Sequence, residues 1–220
     1  MAVSLPSTRP RGRLRARVGV LEVWRVDLSR VAEEELRELL CAQESARAAQ
    51  IGDARRRALW VRSRGVLRLL LARYLDGDPR ALRFAYGAQG KPALRERAPR
   101  ACGGAAGTGA RARAGGRADV RFNLSHSREL MLVAVTAGRE VGVDVEHARE
   151  RHTAEFLRAW TLREASAKCL GTGLAAEPLA GGSARAGLWT SELDVGARAS
   201  AAIAVAGGEE CELRRRDWLE

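Results

Sequence analysis

Aromatic residues, cysteines and long apolar runs are all scarce in this 220-residue sequence. Aromatic residues make up only 5% of the chain, although 38 Lys and Arg against 27 Asp and Glu give a formal net charge of +11. Nucleic-acid-binding proteins set such charge against phosphates and aromatic rings against bases. With few rings and no familiar nucleic-acid motif, that class is disfavoured, and an anionic cofactor together with an acidic partner protein accounts for the charge equally well.

The four cysteines, Cys41, Cys102, Cys169 and Cys211, are scattered without any Cys-x-x-Cys spacing. Their scattered positions indicate neither a zinc site nor a disulfide framework, so we interpret the four cysteines as thiols. No apolar run approaches the roughly 20 residues of a membrane-spanning helix, and the basic N-terminus lacks the apolar core of a signal peptide. We therefore expect a cytoplasmic protein that does not associate with membranes.

The first part of the chain predicts a basic arm followed by a strand and a long helix. Residues 1–17 carry Pro and repeated Arg without a period, so we expect a flexible basic arm there. Residues 18–28 are rich in Val and predict a strand, and apolar residues at helical spacing predict an amphipathic helix over 54–75. A short strand at 82–86 then precedes the turn 87–92, in which a Gly-Lys-Pro sequence fixes the backbone.

Residues 94–121 form a segment rich in Arg, Ala and Gly with no hydrophobic period. Such a segment buries too little apolar surface to offset its ordering entropy, so we expect a flexible basic insertion. Strands are predicted after it at 130–136, 141–146, 188–193, 199–206 and 211–213. The turn at 137–140 is expected to join the first two as a hairpin, and the last three are expected to close the same sheet.

Two carboxylates share one face of the strand at 141–146. Valines alternate along it, so Asp144 and Glu146 point to the side that the valines do not occupy. Their Cα atoms lie roughly 6.6 Å apart, close enough for both side chains to reach one hard cation. A solvated strand edge would show the same pattern.

A second polar constellation lies on the helix predicted at 162–170. Glu164 and Lys168 are neighbours on one face, one turn after Trp160. One interpretation is an exposed ion pair worth about 0.3–0.5 kcal/mol. The other makes Glu164 a metal ligand or base and Lys168 a phosphate contact.

The stretch 122–127 combines two inward apolar residues with a polar end. Phe122 and Leu124 alternate towards a core, and the Ser-His-Ser sequence after them offers hydroxyl and imidazole donors that suit a phosphate. A local hydrogen-bonded cap is the alternative interpretation.

Together, these stretches resemble the signature of the 4′-phosphopantetheinyl transferases, in particular the monomeric surfactin-synthetase-activator type, which activates nonribosomal peptide and polyketide synthetases. The matching sequences are Gly-Lys-Pro at 90–92, Phe-Asn-Leu-Ser-His-Ser at 122–127, Val-Gly-Val-Asp-Val-Glu at 141–146 and Trp-Thr-Leu-Arg-Glu-Ala-x-x-Lys at 160–168. The resemblance implies a monomer with an α/β (α+β) fold. Its two pseudo-symmetric halves would be 18–93 and 122–220, with the cofactor between them and the metal site in the second half.

The resemblance also implies an activity. Phosphopantetheine would pass from coenzyme A to a serine of an apo acyl or peptidyl carrier protein, Mg²⁺ would be required, and adenosine 3′,5′-bisphosphate would leave. Asp144, Glu146 and Glu164 match the metal ligands, and Glu164 is also the candidate base for the serine. Lys168 matches the residue on the pyrophosphate and is the second candidate catalytic residue.

The residues expected to bind coenzyme A are Lys91, Pro92, Ser125, His126, Lys168, Arg47 and Arg55. The Gly-Lys-Pro turn matches the adenine end of the family's cofactor site, and Ser125 and His126 match the side that holds the 3′-phosphate. Arg47 and Arg55 align only loosely with basic positions for that phosphate. His147 and His152 match nothing in the family and are interpreted as surface residues.

The sequence departs from the family in two places. The insertion at 94–121 replaces a much more direct connection, and the segment 147–159 is shorter than the family's helix and loop that help to receive the carrier protein. Two other functions follow from these departures: a non-catalytic protein that binds coenzyme A or a carrier, and a nucleic-acid-binding protein that uses the basic insertion.

Overall fold

The computed structural model describes residues 14–95, 119–150, 152–173 and 187–218. The predicted arm and insertion lie largely outside these ranges, as does Cys102. The helices are α1 (Glu33–Arg37), α2 (Ala42–Ala49), α3 (Ala54–Leu75) and α4 (Ala154–Leu170). The strands are β1 (Val20–Asp27), β2 (Phe84–Tyr86), β3 (Pro92–Leu94), β4 (Val120–Ser127), β5 (Leu130–Ala137), β6 (Val141–His147), β7 (Leu188–Leu193), β8 (Ala199–Ala206) and β9 (Glu212–Asp217).

The strands form two larger sheets and one small ribbon. The first sheet has the order β4-β5-β1-β9, in which β1 is antiparallel to β5 and parallel to β9. The second sheet has the antiparallel order β6-β8-β7, and β2 pairs with β3 alone. The mixed α/β (α+β) class expected from the sequence is confirmed.

The predicted hairpin between the strands at 130–136 and 141–146 is wrong. β5 pairs with β4 and β1, whereas β6 pairs with β8, so the turn at 137–140 carries the chain from one sheet to the other. The strand predicted at 211–213 is β9, and it joins β1 instead of closing the second sheet. Alternating valines reveal a strand and its buried face, but they do not specify the neighbouring strand.

The two sheets lie between the two long helices, with a core at each interface. One face of the first sheet packs on α3 through Trp24, Phe122 and Val133, and its other face packs on the second sheet through Leu132 and neighbouring aliphatic residues. All residues of β5 are therefore buried. A third, smaller core joins α4 to the outer face of β8. The layer order is α3, first sheet, second sheet, α4.

The sheets do not follow the expected boundary between halves. β4, β5 and β9 follow residue 119 in the chain and yet complete the sheet of β1. Leu94 ends β3, and β4 begins at Val120, so ordered strands extend into both ends of the expected insertion. The division into 1–17, 18–93, 94–121 and 122–220 stays a prediction. No helix in the described ranges has the length and apolarity needed to cross a bilayer.

One arginine of α3 lies fully inside the first core. Arg68 is 1% exposed, donates from Nε to Glu44 Oε2 at 2.8 Å and donates from Nη1 to the backbone oxygens of Pro79 and Leu82. Its guanidinium also lies 5.2 Å from the ring centroid of Phe84. Because Glu44 is also buried, the pair is fully desolvated, and it joins α3 to α2 and to the segment that leads into β2.

Arg68→Met is expected to lower the free energy of unfolding by about 3 kcal/mol or more, because it leaves the Glu44 carboxylate buried without its cation. Arg80→Met is the matched control, since Arg80 pairs with Glu38 on the exposed surface and its loss should cost no more than about 1 kcal/mol. Urea denaturation measures both. Equal losses in the two variants would contradict the structural role given to Arg68.

Candidate active site

The site begins at a contact between two edge strands. β4 lies at one edge of the first sheet and β6 at one edge of the second, and side chains of β4 bridge to the backbone of β6. The buried Asn123 accepts a hydrogen bond from the backbone N–H of Val143 at 2.9 Å. Ser127 accepts another from the backbone N–H of His147 at 3.1 Å. Because alternate residues of a strand share a face, Ser125 also points towards β6.

The same side chains contact the two carboxylates of β6. Ser125 donates to Asp144 Oδ1 at 2.9 Å, and Ser127 donates to Glu146 Oε2 at 3.1 Å. Lys168 Nζ lies 2.5 Å from the same Asp144 Oδ1. Asp144 is 3% exposed, and its other oxygen, Oδ2, is buried without a hydrogen-bond partner in the part of the chain that the structure describes. A buried carboxylate oxygen that accepts no hydrogen bond is a favourable ligand for a cation and a strong acceptor for a hydrogen-bond donor.

Helix α4 lies directly on β6 because residue 142 is glycine. A Cβ built on Gly142 would lie 2.0 Å from the backbone oxygen of Ala165 and 2.4 Å from the backbone nitrogen of Cys169. A larger residue would push the helix away from the strand. This close approach brings Glu164 and Lys168, one turn apart on α4, to the carboxylate face of β6.

Glu164 lies in a negative, partly desolvated position. Burial raises the pKa of its carboxyl, the charge of Lys168 lowers it, and the charges of Asp144 and Glu146 raise it further. The charges of Asp144 and Glu146 therefore act on Glu164. Among the described residues, however, no three acidic, His or Cys side chains are arranged so that they could hold one metal ion. Asp144 is engaged by Lys168, and Glu146 by Ser127.

A cavity of about 650 Å³ opens beside these carboxylates. It is lined by six of the residues expected to act or to bind coenzyme A, from the turn before β3, from β3, from β4 and from α4: Lys91, Pro92, Ser125, His126, Glu164 and Lys168. Asp144 and Glu146 do not line it, although Asp144 bonds to two residues that do. Lys91 and Lys168, 77 positions apart in the chain, thus meet around one space.

Arg47 and Arg55 do not line this cavity. Arg55 forms an ion pair with Glu129 in the turn between β4 and β5, and this partner raises the pKa of Arg55. Arg47 is exposed on α2. Their expected contact with the 3′-phosphate stays a prediction. His147 and His152 are partly buried and also lie outside the cavity lining.

Lys91 is held in place by groups that are distant from it in the chain. Its Nζ donates to Glu140 Oε2 at 2.7 Å and to the backbone oxygen of Cys169 at 3.4 Å, and Glu140 also pairs with Arg121. The turn before β3 is therefore fastened to the end of α4. His126 lines the same cavity, where burial, followed by the charges of Lys168 and Arg64, lowers the pKa of the partly exposed imidazole. A lowered pKa favours neutral imidazole at neutral pH.

The sequence analysis predicted no functional role for several polar or aromatic residues of the cavity wall, among them Trp60, Ser63 and Arg64 from α3, and Gln89 from the turn before β3. Arginines occur on all sides of α3, so the sequence alone does not distinguish the one that faces the cavity from the others. A usable signal was the spacing of Trp60 and Arg64, which places an aromatic ring and a guanidinium one turn apart on the same face.

Two curated proteins resemble this chain over most of its length, whereas no protein-family model matches it. The chain is 30% identical over 184 residues to the 4′-phosphopantetheinyl transferase HetI of Nostoc sp. (strain PCC 7120), with 70% of each protein covered. It is 26% identical over 179 residues to the "Putative 4′-phosphopantetheinyl transferase slr0495" of Synechocystis sp. (strain PCC 6803), covering 70% of this chain and 65% of that protein.

Gly142→Ala is expected to lower the free energy of unfolding by about 2 kcal/mol or more, because the added methyl group meets backbone atoms of α4 that cannot turn aside. The matched control is Gly52→Ala. An added Cβ at Gly52 has no heavy atom within 4 Å, and a change within about 0.5 kcal/mol is expected. Urea denaturation compares the two variants, and a Gly142→Ala protein as stable as the wild type would refute the close packing of α4 on β6.

Proposed function

The chain belongs to the 4′-phosphopantetheinyl transferase family, and we propose on that basis that it transfers phosphopantetheine from coenzyme A to a serine of an apo acyl or peptidyl carrier protein. Mg²⁺ is the proposed metal, and adenosine 3′,5′-bisphosphate is the second product. The observation that carries the proposal is the single cavity in which Lys91, His126, Glu164 and Lys168 meet. Its volume of about 650 Å³ is within the range of small-molecule and cofactor sites.

The proposed orientation of coenzyme A follows from the chemistry of the cavity wall. Lys91, in the turn before β3, and Pro92, the first residue of β3, would contact the adenine end. Ser125 and His126 would face the 3′-phosphate side with hydroxyl and imidazole donors. Lys168 would neutralise part of the pyrophosphate charge from α4, next to the carboxylates.

Asp144, Glu146 and Glu164 are the residues that would hold the metal, although their side chains do not converge on one point in this structure and would have to do so on binding. They offer only carboxylate oxygens, which Mg²⁺ prefers, and the buried Asp144 Oδ2 has no other partner in the described residues. A bound Mg²⁺ would supply charge neutralisation at the pyrophosphate. The negative charges of Asp144 and Glu146 beside Glu164 also favour a cation at this position.

In the proposed reaction, the carrier serine oxygen forms a bond to the β-phosphorus of the pyrophosphate, the phosphorus closer to pantetheine. The bond from that phosphorus to the bridging oxygen breaks, and adenosine 3′,5′-bisphosphate leaves with the bond's electron pair. Glu164 takes the serine proton, a role that suits a carboxyl whose pKa is raised by burial. Lys168 lies where it can stabilise the charge on the phosphate oxygens.

The carrier and the subtype are part of the proposal. We assign the chain to the monomeric surfactin-synthetase-activator type, acting in the cytoplasm, because its signature stretches match that type in kind and order. The connection from β6 to α4 is short, since β6 ends at His147 and α4 begins at Ala154. It leaves little chain for the carrier-docking helix and loop of that type, so carrier recognition would be narrower or lie elsewhere.

A non-catalytic protein that binds coenzyme A is the second candidate. It is favoured by the absence, among the described residues, of three carboxylates arranged around one point, and by the short connection before α4. Retention of Asp144, Glu164 and Lys168 at one edge of the cavity favours the transferase. Metal dependence of transfer separates the two functions.

Incubation of apo carrier domains with the protein, coenzyme A and Mg²⁺ is expected to add the mass of one phosphopantetheine to a carrier, as measured by intact-mass spectrometry. Addition of EDTA should abolish the gain, and excess Mg²⁺ should restore it, because the pyrophosphate charge would otherwise stay unneutralised. Binding of coenzyme A without a mass gain on any carrier, acyl or peptidyl, would favour the non-catalytic protein.

Glu164→Gln and Asp144→Asn are each expected to lower kcat/KM for transfer by about 100-fold or more while leaving the urea midpoint near that of the wild type, because both changes keep side-chain size and remove a carboxylate. Glu155→Gln is the matched control, since Glu155 is an exposed carboxylate at the start of the same helix. Wild-type rates in Glu164→Gln or Asp144→Asn would contradict the site assignment.

A further inference from the structure

The turn before β3 reaches the cavity from a ribbon that belongs to neither larger sheet. Among the described strands, β2 and β3 pair only with each other. Phe84, at the open end of the ribbon, packs edge-on against Phe122 of β4, with ring centroids 5.9 Å apart. The turn at the other end contributes Gln89, Gly90 and Lys91 to the cavity wall. Because a two-stranded ribbon is only marginally stable by itself, side-chain contacts must set the position of this turn.

Glu140 joins the turn to the rest of the molecule. One carboxylate oxygen, Oε2, accepts a hydrogen bond from Lys91 Nζ at 2.7 Å, and the other, Oε1, accepts one from Arg121 Nη1 at 3.0 Å. Lys91 Nζ also donates to the backbone oxygen of Cys169, near the end of α4, at 3.4 Å. The side chain of Lys91 is only 16% exposed, so salt screens this ion pair less than one on the open surface.

The backbone of Glu140 is itself anchored at two points. Its carbonyl oxygen accepts a hydrogen bond from the backbone N–H of Ala206 at 2.9 Å and another from the thiol of Cys169 at 3.3 Å. Glu140 directly precedes β6, in the turn that leads from the first sheet to the second. Its carboxylate is therefore presented from a fixed place in the fold, and the turn before β3 takes its position from that carboxylate.

The turn also lies against the segment that follows α4. A Cβ built on Gly173 would lie 2.9 Å from Cδ of Gln89, so the Gln89 side chain packs directly on that glycine. Gly171 and Gly173 line the cavity together with Gln89 and Lys91. One end of the cavity is thus formed where the turn meets the end of α4, and the ion pair of Lys91 with Glu140 spans the same junction.

These contacts determine which part of Lys91 is left for a ligand. Its ammonium is engaged by Glu140 and by the backbone oxygen of Cys169, so its aliphatic stem is what it can offer to the cavity. Pro92, beside it in the cavity wall, adds a further apolar surface. Adenine is flat and uncharged at neutral pH, and an apolar wall of this kind suits such a ring.

We propose, resting on the function proposed above, that Glu140 is a positioning residue for the adenine end of coenzyme A. Glu140 does not line the cavity and acts through Lys91. The ion pair holds the turn before β3 against the end of α4, so the wall that meets the adenine is formed before the cofactor binds. Such preorganisation raises affinity, because the wall is not ordered at the expense of binding energy.

A double-mutant cycle on the full chain tests this role. Isothermal titration calorimetry at fixed ionic strength measures the Kd of coenzyme A for Glu140→Ala, for Lys91→Met and for the variant with both changes. Each single change is expected to raise Kd by about 10-fold, because each breaks the same ion pair and releases the turn. The double variant should bind no more than about 2-fold more weakly than the weaker single variant, because both changes remove one shared contact.

Arg121→Ala is the matched control. It removes the other cation of Glu140 from a position outside the cavity wall and should leave Kd within about 2-fold of the wild-type value. Losses that add up in the double variant would overturn the proposal, because Lys91 would then act on the cofactor independently of Glu140. Tighter binding by Glu140→Ala would also overturn it, since Glu140 would then only keep the charge of Lys91 from the ligand.

Hydrogen exchange of the ligand-free proteins tests the effect on the turn without any activity. The turn contains two backbone hydrogen bonds, from Gly87 to Lys91 and from Gly90 to Gly87. Exchange of these amides should be about 5-fold faster or more in Glu140→Ala and Lys91→Met, whereas exchange in β5 and the urea midpoint should stay near the wild-type values. Unchanged exchange in the turn, or an equal increase in β5, would contradict a local role for Glu140.

Transfer kinetics separate this proposal from the proposed function. KM for coenzyme A should rise in parallel with Kd while kcat stays within about 2-fold, because the adenine lies away from the reacting phosphorus. A fall in kcat alone, or faster exchange of the turn with an unchanged Kd, would overturn the positioning role and leave the transferase function standing. A wild-type protein that does not bind coenzyme A would overturn both.

Discussion

The contact between β4 and β6 is the constraint on which the site depends. These edge strands belong to different sheets, and side chains of β4 bond to the backbone of β6 in the way that a neighbouring strand would. Asn123 does so from a fully buried position, where an unsatisfied amide would be costly. Because the bridging residues recur every second position, Ser125 and Ser127 reach Asp144 and Glu146 in register. The contact that joins the sheets thus also orients the carboxylates.

Ion pairs balance two of the three positive charges at the cavity wall. Lys168 forms an ion pair with Asp144, and Lys91 forms one with Glu140, so neither ammonium is left unpaired at the cavity wall. A phosphorylated ligand would have to compete with these carboxylates, and a metal at Asp144 would replace the charge that Lys168 now supplies. Arg64 differs, because the electron-rich faces of Trp60 and Tyr86 stabilise its charge, and its buried Nη1 has no hydrogen-bond partner among the described residues.

The sequence predicts the elements of this fold better than their arrangement. The apolar spacing at 54–75 corresponds to α3, and the alternating valines at 141–146 correspond to β6. The pairing of β6 with β8 is not encoded in that alternation, because β5 is equally apolar and adjacent in the chain. The motifs identify Ser125, Glu164 and Lys168 individually, but only the glycine contact of Gly142 with α4 shows why they meet.

Residues that act through three-dimensional position alone escape such prediction. Arg55 and Arg64 are chemically identical and lie on the same helix, yet the first pairs with Glu129 and the second lines the cavity. The difference arises from the direction in which each side chain leaves α3, relative to a strand that is distant in the chain. Loose alignment favours Arg55, and nothing in the composition singles out Arg64, so only the packing of α3 on the first sheet distinguishes them.

Strand β9, the last in the chain, pairs with β1, the first, so segments from both ends of the described chain support the cavity. Arg216 of β9 donates to the buried Glu22 at 2.7 Å, and Glu22 also accepts a hydrogen bond from Tyr74 near the end of α3. The last strand therefore ties the first sheet to α3, while β6 to β8 in the second sheet support α4. The two helices that line the cavity are each anchored to a different sheet, and the sheets share a core. Separation of the helices would break that core, so the packing of the two sheets holds the cavity walls together.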